Sequence, residues 1–496
     1  MLPYKTLIQV DKALKLPVYQ QIANRLIGLI QEGVLKPGLF LPGSRVLAEQ
    51  LQLHRKTVIA AYEELISQDW IVPIARKGVM VAANLPVIKP RSFSVLASPY
   101  SKGPAFSYPA VPSLNLLPPG PVTATSLVIN DGFPDARLAP LNAWVRECRS
   151  IIQSPRYHKI LMYGDPTGSE TLRKEMVKYL TDTRGLNIEM DNIMITRGAQ
   201  MAIYVAAAMV IKKDDYVIVG SPNYFFADMC FEQLGARLLR VPVDEDGIDV
   251  DAVEQLCRTK KIRMLYIITH HHHPTTVTLS AARRMKLLAI IRTYKLAVIE
   301  DDYDYDFHYS SAPIVPLASA DHGGNVIYIG SFTKSLGLSI RIGFMIAPAA
   351  FIAEAAALRR LIDLRGDNLS EEALANLLAD GTIARHLKKS NKVYLERRDL
   401  LCHLLQTRLG AAVHFTVPPG GMAIWLHFSK KFPLKMISAK AAALGLRMNT
   451  GEQYRYGAVS HNANALRFGF ASLNNKEIAM VVNILERIIK GKDGLS

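Results

Sequence analysis

The chain reads Gly330-Ser331-Phe332-Thr333-Lys334-Ser335-Leu336 directly after the apolar run Val326-Ile327-Tyr328-Ile329, and Arg341 follows shortly afterwards. This pattern predicts a buried strand that ends in a turn, where one lysine is surrounded by hydroxyl groups and an arginine. A lysine that forms a Schiff base needs a dry, fixed position that lowers its pKa, beside groups able to hold a phosphate. The cofactor implied by Lys334 and its neighbours is pyridoxal 5'-phosphate.

A second apolar run, Leu296-Ala297-Val298-Ile299, ends in Glu300-Asp301-Asp302-Tyr303. Ligands of α/β sheets gather beyond the carboxyl ends of the strands, so this segment and the lysine segment should open onto one crevice. An aspartate there can pair with the protonated ring nitrogen of pyridoxal phosphate, and a tyrosine can hydrogen-bond the ring hydroxyl.

Over residues 125–490, about three-quarters of the chain, the sequence resembles the fold-type I aminotransferases of the aspartate aminotransferase superfamily. The resemblance implies an α/β fold with a doubly wound sheet and a smaller α+β C-terminal part. It also implies roles for three residues: Lys334 is the Schiff-base lysine, Asp301 the partner of the ring nitrogen, and Tyr303 the partner of the ring hydroxyl.

Four further motifs are similar to those of this family. Tyr163-Gly164-Asp165-Pro166 resembles the segment whose tyrosine reaches the cofactor phosphate of the neighbouring subunit. Thr196-Arg197-Gly198-Ala199-Gln200 precedes a predicted helix over 201–211, so its backbone N–H groups can cradle the phosphate. Ser221-Pro222-Asn223-Tyr224 offers a ring to stack on the cofactor, and Leu466-Arg467-Phe468 matches the arginine that binds a substrate α-carboxylate.

The chain departs from the family at His273-Pro274-Thr275-Thr276, where Asn-Pro-Thr-Gly is usual. The asparagine that bonds the ring oxygen is missing, which argues against efficient transamination, although His273 can replace one hydrogen bond. The predicted cofactor contacts are Asp301, Tyr303, Ser331, Thr333, Arg341, Gly198, Ala199, Gln200, Tyr224, Tyr163 and His273.

Two segments offer alternative readings as metal sites. The run of four histidines, 270–273, suggests zinc, but consecutive side chains of an extended segment alternate faces and do not easily surround one ion. The acidic run 300–306 offers oxygen ligands for a divalent cation. Only the aspartate at the strand end is needed for the cofactor, so we predict no metal.

The first eighty residues have a different pattern. Apolar residues at helical spacing predict helices over 17–33, Ser44 to Leu51 and Arg55 to Gln68. Trp70 to Pro73 and Val79 to Ala82 read as two strands joined by a basic tip. Together these elements predict a winged helix-turn-helix, in which the residues that start the last helix contact DNA.

This segment resembles the DNA-binding domain of the GntR regulators. The resemblance lies in Pro17-Val18-Tyr19-Gln20-Gln21-Ile22, Leu41-Pro42-Gly43-Ser44-Arg45 and Ala61-Tyr62-Glu63-Glu64-Leu65. Joined to an aminotransferase-like remainder, it makes the whole chain similar to the MocR subfamily of transcription factors. The predicted DNA contacts are Arg45, Arg55, Lys56, Thr57, Arg76 and Lys77.

Composition sets further bounds. A net charge of +16 favours a polyanionic partner, although residues 1–84 carry only ten of the 59 Lys and Arg residues. The four cysteines show no paired spacing, no leader is evident, and no apolar run is long enough for a bilayer, so we expect a cytoplasmic protein without a membrane partner. Proline-rich residues 85–121 predict a linker between a DNA-binding domain, 1–84, and an effector domain, 122–490.

We therefore expect a homodimeric, pyridoxal-phosphate-dependent transcriptional regulator that binds double-stranded DNA. Its small-molecule effector would be an amino acid, an amine or pyridoxal phosphate itself. Two alternatives remain open: an active aminotransferase with an accessory DNA-binding domain, and a regulator whose large domain has lost its cofactor and serves only to dimerise.

Overall fold

The computed structural model describes residues 2–11, 14, 16–85, 106–107, 127–155, 157–162, 164–309, 314–456 and 464–491. The chain divides into two compact units, Met1–Ala110 and Val111–Ser496. Most of the predicted linker and Tyr163 lie outside the described residues, so the limits of the linker stay a prediction.

The N-terminal unit is a winged helix-turn-helix. Its elements are α1 (Tyr4–Leu7), α2 (Val18–Gln31), α3 (Ser44–Leu51), α4 (Arg55–Ser67), β1 (Ile71–Ile74) and β2 (Gly78–Val81). The three longer helices bury one apolar stripe each against a common core, for example Leu26, Leu47 and Leu65. Gln52 ends α3 in the left-handed conformation (φ 55°), which turns the chain into α4.

The wing is an antiparallel hairpin in which Ile71 pairs with Val81 and Ile74 with Gly78. Both strands lie within one residue of the predicted bounds. The hairpin turn carries Arg76 in the left-handed region (φ 62°) and Lys77, and both side chains are exposed. The winged helix-turn-helix part of the predicted fold class is confirmed.

An eight-stranded sheet forms the centre of the C-terminal unit. Its strands are β4 (Ile193–Thr196), β5 (Tyr216–Ser221), β6 (Arg237–Asp244), β7 (Gly247–Ile248), β8 (Ile262–Ile267), β9 (Ala297–Asp302), β10 (Val326–Ser331) and β11 (Gly343–Ile346). Their order is β4-β11-β10-β9-β8-β5-β6-β7. The strands from β10 to β6 are mutually parallel, whereas β11 and β7 pair antiparallel with their neighbours.

Two smaller sheets complete the unit. Their strands are β3 (Leu127–Val128), β12 (Val413–His414), β13 (Ala423–Phe428), β14 (Leu446–Arg447) and β15 (Ala465–Gly469). Strands β12, β13 and β15 form an antiparallel sheet, while β3 pairs in parallel with β14.

Helices cover both faces of the large sheet. The described helices of the C-terminal unit are α5 (Leu141–Gln153), α6 (Tyr157–Leu161), α7 (Glu170–Arg184), α8 (Ala199–Val210), α9 (Phe225–Gln233), α10 (Val250–Thr259), α11 (Ala281–Tyr294), α12 (Thr333–Leu336), α13 (Ala349–Asp363), α14 (Asn368–Ala379), α15 (Thr382–Leu409), α16 (Leu434–Ala443) and α17 (Asn475–Ile489). Short 3-10 turns occur at Met190–Asn192, Leu317–Ser319, Gly410–Ala412 and Glu452–Arg455. Along β5, Val217 and Val219 pack into one apolar cluster and Ile218 into another on the opposite face. The doubly wound α/β prediction is confirmed.

The carboxyl ends of β9 and β10 lie side by side, since Asp301 is in register with Ile329 and Asp302 with Gly330. The lysine turn follows immediately as α12. This register explains why two segments that are separate in sequence reach one crevice. Among the described helices, none is both long and apolar enough to span a membrane.

Candidate functional site

A cavity of about 820 Å³ opens at these strand ends. Its wall combines charged groups from the large sheet with apolar side chains. The predicted residues that line it are Ala199, Gln200, Tyr224, His273, Asp301, Tyr303, Ser331, Thr333, Lys334 and Arg341.

Lys334 projects into this cavity from α12. Its Nζ donates a hydrogen bond to the backbone oxygen of Gly132 at 2.7 Å and lies 5.0 Å from the centre of the Phe133 ring. Burial lowers the pKa of Lys334 to about 8, which increases the share of neutral, nucleophilic amine near neutral pH. Lys334 therefore has the properties that a Schiff-base lysine requires.

Asp301 lies at the end of β9 and is 2% exposed. Its Oδ2 accepts a hydrogen bond from the Tyr266 hydroxyl at 2.7 Å, while the buried Oδ1 has no partner among the described residues. Burial raises the pKa of Asp301 to about 7, and the nearby Asp302 and Asp304 carboxylates add to this effect. A cationic N–H in the cavity would satisfy the unpaired oxygen and stabilise its charge.

Tyr303 and Arg467 are joined directly. The Tyr303 hydroxyl accepts a hydrogen bond from Arg467 at 2.9 Å and donates one to the backbone oxygen of His271 at 2.9 Å. A further Arg467 nitrogen donates to the Pro274 backbone at 3.2 Å, and Nε to the Asp131 backbone at 3.3 Å. Arg467 is 1% exposed and is not among the residues that line the cavity. All three nitrogens of its guanidinium donate hydrogen bonds.

Small and polar groups surround one end of the cavity. Ser331 Oγ donates to Thr333 Oγ1 at 2.8 Å, and Arg341 donates to the same Thr333 oxygen at 3.4 Å. Gly198, which precedes α8 with φ 77°, lies so close to Arg341 that a Cβ there would be 2.5 Å from the guanidinium. Since the first backbone N–H groups of α8 have no helical partner, this end suits a phosphate.

His273 also lines the cavity. Its Nε2 lies 2.6 Å from Oδ2 of Asp131, and its buried Nδ1 has no partner within the described part of the chain. Burial lowers the pKa of His273, so the imidazole is neutral and carries its proton on Nε2, facing the aspartate.

The other three histidines of the run are buried away from the cavity. His270 pairs with the Ile314 backbone, His271 with Asp304, and His272 with Thr275. They adopt bends rather than an extended strand, and His271 has a φ of 46°. No cluster of metal-ligand type occurs among the described residues.

A comparison with protein families matches residues 126–485 to "Aminotransferase class I and II" and residues 18–81 to "Bacterial regulatory proteins, gntR family". The first match spans most of the chain. The chain belongs to the aminotransferase class I and II family. This membership confirms the predicted cofactor, pyridoxal 5'-phosphate.

Relatives with both parts cover nearly the whole chain. The uncharacterized HTH-type transcriptional regulator YdfD of Bacillus subtilis is 26% identical, with 97% of this chain and 98% of YdfD covered. The probable rhizopine catabolism regulatory protein MocR of Rhizobium meliloti is 24% identical, with 97% and 95% covered. Among solved structures, the α-aminoadipate aminotransferase LysN of Thermus thermophilus, complexed with N-(5'-phosphopyridoxyl)-L-leucine, is 26% identical. Its TM-score is 0.68, with 75% of this chain and 94% of that chain covered.

The aminotransferase site of this chain fits the cofactor. Two buried polar atoms at the cavity, Asp301 Oδ1 and His273 Nδ1, lack partners among the described residues and would meet the ring nitrogen and a ring substituent. Ser331, Thr333 and Arg341 would hold the phosphate. When bound, pyridoxal phosphate supplies an electron sink for the carbon next to a bound amine nitrogen.

The GntR-type unit presents five of the six predicted DNA contacts on exposed positions, and the sixth, Thr57, is half-buried. Arg45 lies in the first turn of α3, and Arg55, Lys56 and Thr57 form the first turn of α4. Arg55 Nε lies 3.4 Å from the Ser44 hydroxyl, which brings the starts of the two helices together. Arg45, Arg55, Lys56, Arg76 and Lys77 have no ion-pair partner among the described residues.

Four residues of the site were absent from the sequence prediction: Asp131, Gly132, Tyr266 and Tyr454. Gly132 (φ 85°) presents its oxygen to Lys334, and the Tyr454 hydroxyl donates to Asp131 at 2.7 Å. The sequence Asn130-Asp131-Gly132 is a turn signal, but it gives no indication of its partners, which are more than 130 residues away.

Proposed function

We propose that this chain is a pyridoxal-phosphate-dependent transcriptional regulator whose aminotransferase-like unit binds a small amine-bearing effector or pyridoxal phosphate. As a transcriptional regulator, it would act in the cytoplasm. It would be a homodimer whose two winged helices bind repeated half-sites. The names of YdfD and MocR, which share both parts of the chain, support this proposal.

The observation that carries the proposal is the presence, in one chain, of a cavity lined by Lys334 and of a winged helix with exposed cations that form no ion pair within the described part of the chain. An aminotransferase gains nothing from a winged helix with five exposed cations at the positions that face DNA. A ligand-dependent regulator requires both a DNA-binding unit and a ligand site whose occupancy changes DNA binding.

Binding of the intact, cofactor-loaded protein to the DNA upstream of its own gene tests the proposal. We expect specific binding in a competition assay against unrelated DNA, with affinity that changes when effector or cofactor is varied. Absence of specific binding with and without cofactor would contradict the regulator function.

Replacement of Lys77 by alanine is expected to weaken binding to all DNA sequences alike. Lys77 lies at the wing turn, where it would neutralise one phosphate, so the slope of log affinity against log salt should flatten by about one unit. Arg55→Ala, at the start of α4, should instead reduce discrimination between operators by about 1–3 kcal/mol if it meets a base. Lys5→Ala, on exposed α1, is the matched control and should leave both quantities unchanged.

A second candidate, a working aminotransferase, is favoured by the presence of Lys334 and Asp301 on the wall of one cavity. We expect amino transfer to be slow, because His273 replaces the family asparagine at the ring oxygen. Keto-acid formation and operator affinity should be measured over the same ligand titration. Several turnovers per second, with DNA binding that ignores the ligand, would establish the enzyme instead.

A further inference from the structure

The carboxylate of Asp131, a residue that lines the cavity, lies beside Arg467. Oδ2 of Asp131 lies 2.6 Å from His273 Nε2, and Oδ1 lies 3.9 Å from Arg467 Nε. The Tyr454 hydroxyl donates to Oδ1 at 2.7 Å. One resident carboxylate therefore already uses the donors that converge on this point.

The surroundings of Arg467 leave little room for a second anion. The backbone of Gly132 lies against the guanidinium, since a Cβ on this glycine would be 3.5 Å from one Arg467 nitrogen and 3.3 Å from the Ala423 side chain. The remaining nitrogens of Arg467 are engaged by Tyr303 and Pro274. A ligand carboxylate would have to displace the Asp131–Gly132 segment to reach the guanidinium.

The charge of Asp131 also disfavours a second carboxylate beside Arg467. Burial disfavours charge on Asp131, but His273, Arg467 and Tyr454 together hold the pKa of this carboxyl below its ordinary value. Asp131 is thus an anion that compensates the buried Arg467 cation. A second carboxylate would place two like charges beside one guanidinium, which is unfavourable where water is excluded.

We infer that Asp131 fills the carboxylate subsite at Arg467, so that the cavity selects primary amines without a carboxylate on the nitrogen-bearing carbon. The inference deepens the proposed effector role of the cavity and rests on it. With the cofactor held by Lys334, a primary amine would take the place of Nζ: its nitrogen would gain the C–N bond that Nζ loses, and its two protons would pass to Nζ. No oxidant or reductant is needed.

The rest of the cavity suits the carbon chain of such an amine. Phe133, Phe226 and Leu338 line it, and the Phe133 ring lies beside Nζ of Lys334. The apolar Phe133 ring therefore lies beside the nitrogen, whereas Arg467, the arginine predicted to bind a carboxylate, already has Asp131 as its neighbouring anion.

A matched pair of ligands tests the inference: 3-methylbutan-1-amine and L-leucine, which differ only by the carboxylate. Each is titrated into the intact, cofactor-loaded protein, with the visible absorbance of the cofactor and the midpoint of thermal unfolding as readouts. We expect the wild type to bind the amine at least about tenfold more tightly than the amino acid.

Asp131→Ala should tighten binding of L-leucine about tenfold or more and change binding of the amine by less than about twofold. Asp131→Asn keeps the shape and removes the charge, so it should shift the preference in the same direction and serves if the alanine variant is unstable. Glu245→Gln removes a charge at an exposed position that does not line the cavity, and it should leave the preference unchanged.

Equal or tighter binding of L-leucine by the wild type, with no shift in either Asp131 variant, would overturn the inference. The proposed regulator function is judged by operator binding, a separate measurement on the same protein. A protein that binds no operator but shows the predicted ligand ratios would contradict the function and support the role of Asp131.

Discussion

Lys334→Ala is expected to abolish covalent attachment of pyridoxal phosphate. Lys334 provides the only lysine amine that lines the cavity within the described residues, and its pKa of about 8 favours reaction near neutral pH. The visible absorbance of the bound cofactor and the adduct fixed by borohydride should both disappear. Peptide mapping of the reduced wild type should place the adduct on Lys334.

Lys388→Ala, an exposed lysine on α15, is the matched control and should retain the full adduct. A reduced adduct of undiminished yield in the Lys334 variant would assign the cofactor to another amine. That result would also contradict a cofactor site at the ends of β9 and β10.

Asp301→Asn is expected to weaken cofactor binding by roughly 2–5 kcal/mol, because it removes a buried, hydrogen-bonded charge partner. Asp301 Oδ1 has no partner among the described residues, so the ring nitrogen would be its only source of a hydrogen bond. The dissociation constant should be measured by adding pyridoxal phosphate back to the cofactor-free protein. A change of less than about threefold would contradict the predicted role of Asp301.

The same variant should behave differently without cofactor. Because the pKa of Asp301 is raised to about 7 in the folded protein, against an ordinary value of about 4, the folded state binds this proton more tightly than the unfolded chain. The stability gained from the protonated form is present below about pH 4 and is lost as pH rises through about 7. Asp301→Asn should therefore gain free energy of unfolding relative to wild type as the pH rises from about 4 to about 7 in denaturant titrations.

Patterns local in sequence predicted most of the fold. The winged helix-turn-helix followed from helical spacing over α2 to α4 and two short strands, because each element buries a stripe whose period is visible in the sequence. The lysine and aspartate segments were placed together because both follow apolar strands, and the carboxyl ends of parallel strands meet at one edge.

The sequence could not predict the hydrogen-bond and ion-pair partners of each polar side chain. Arg467 was predicted to bind a ligand carboxylate, a role that stays a prediction. The structure surrounds it with Tyr303, Pro274 and Asp131, which is 336 residues away in the chain. Helix α8 begins two residues earlier than predicted, at Ala199, so that the predicted phosphate contacts form its first turn. The contacts of Arg467 depend on how β13 and β15 pack beside the large sheet. This packing cannot be predicted from a local sequence pattern.

Strand β3 has a mechanical consequence for the whole chain. It has only two residues, Leu127 and Val128, and it is the first described part of the C-terminal unit after the predicted linker. The ladder is short, and the segment that follows it is held by contacts such as those of Asp131 with His273 and Tyr454. Release of residues 127–133, which include Asp131, would lengthen the tether to the DNA-binding unit by up to about 25 Å. Asp131, which we infer keeps ligand carboxylates away from Arg467, is thus also one of the residues whose contacts would limit the length of this tether.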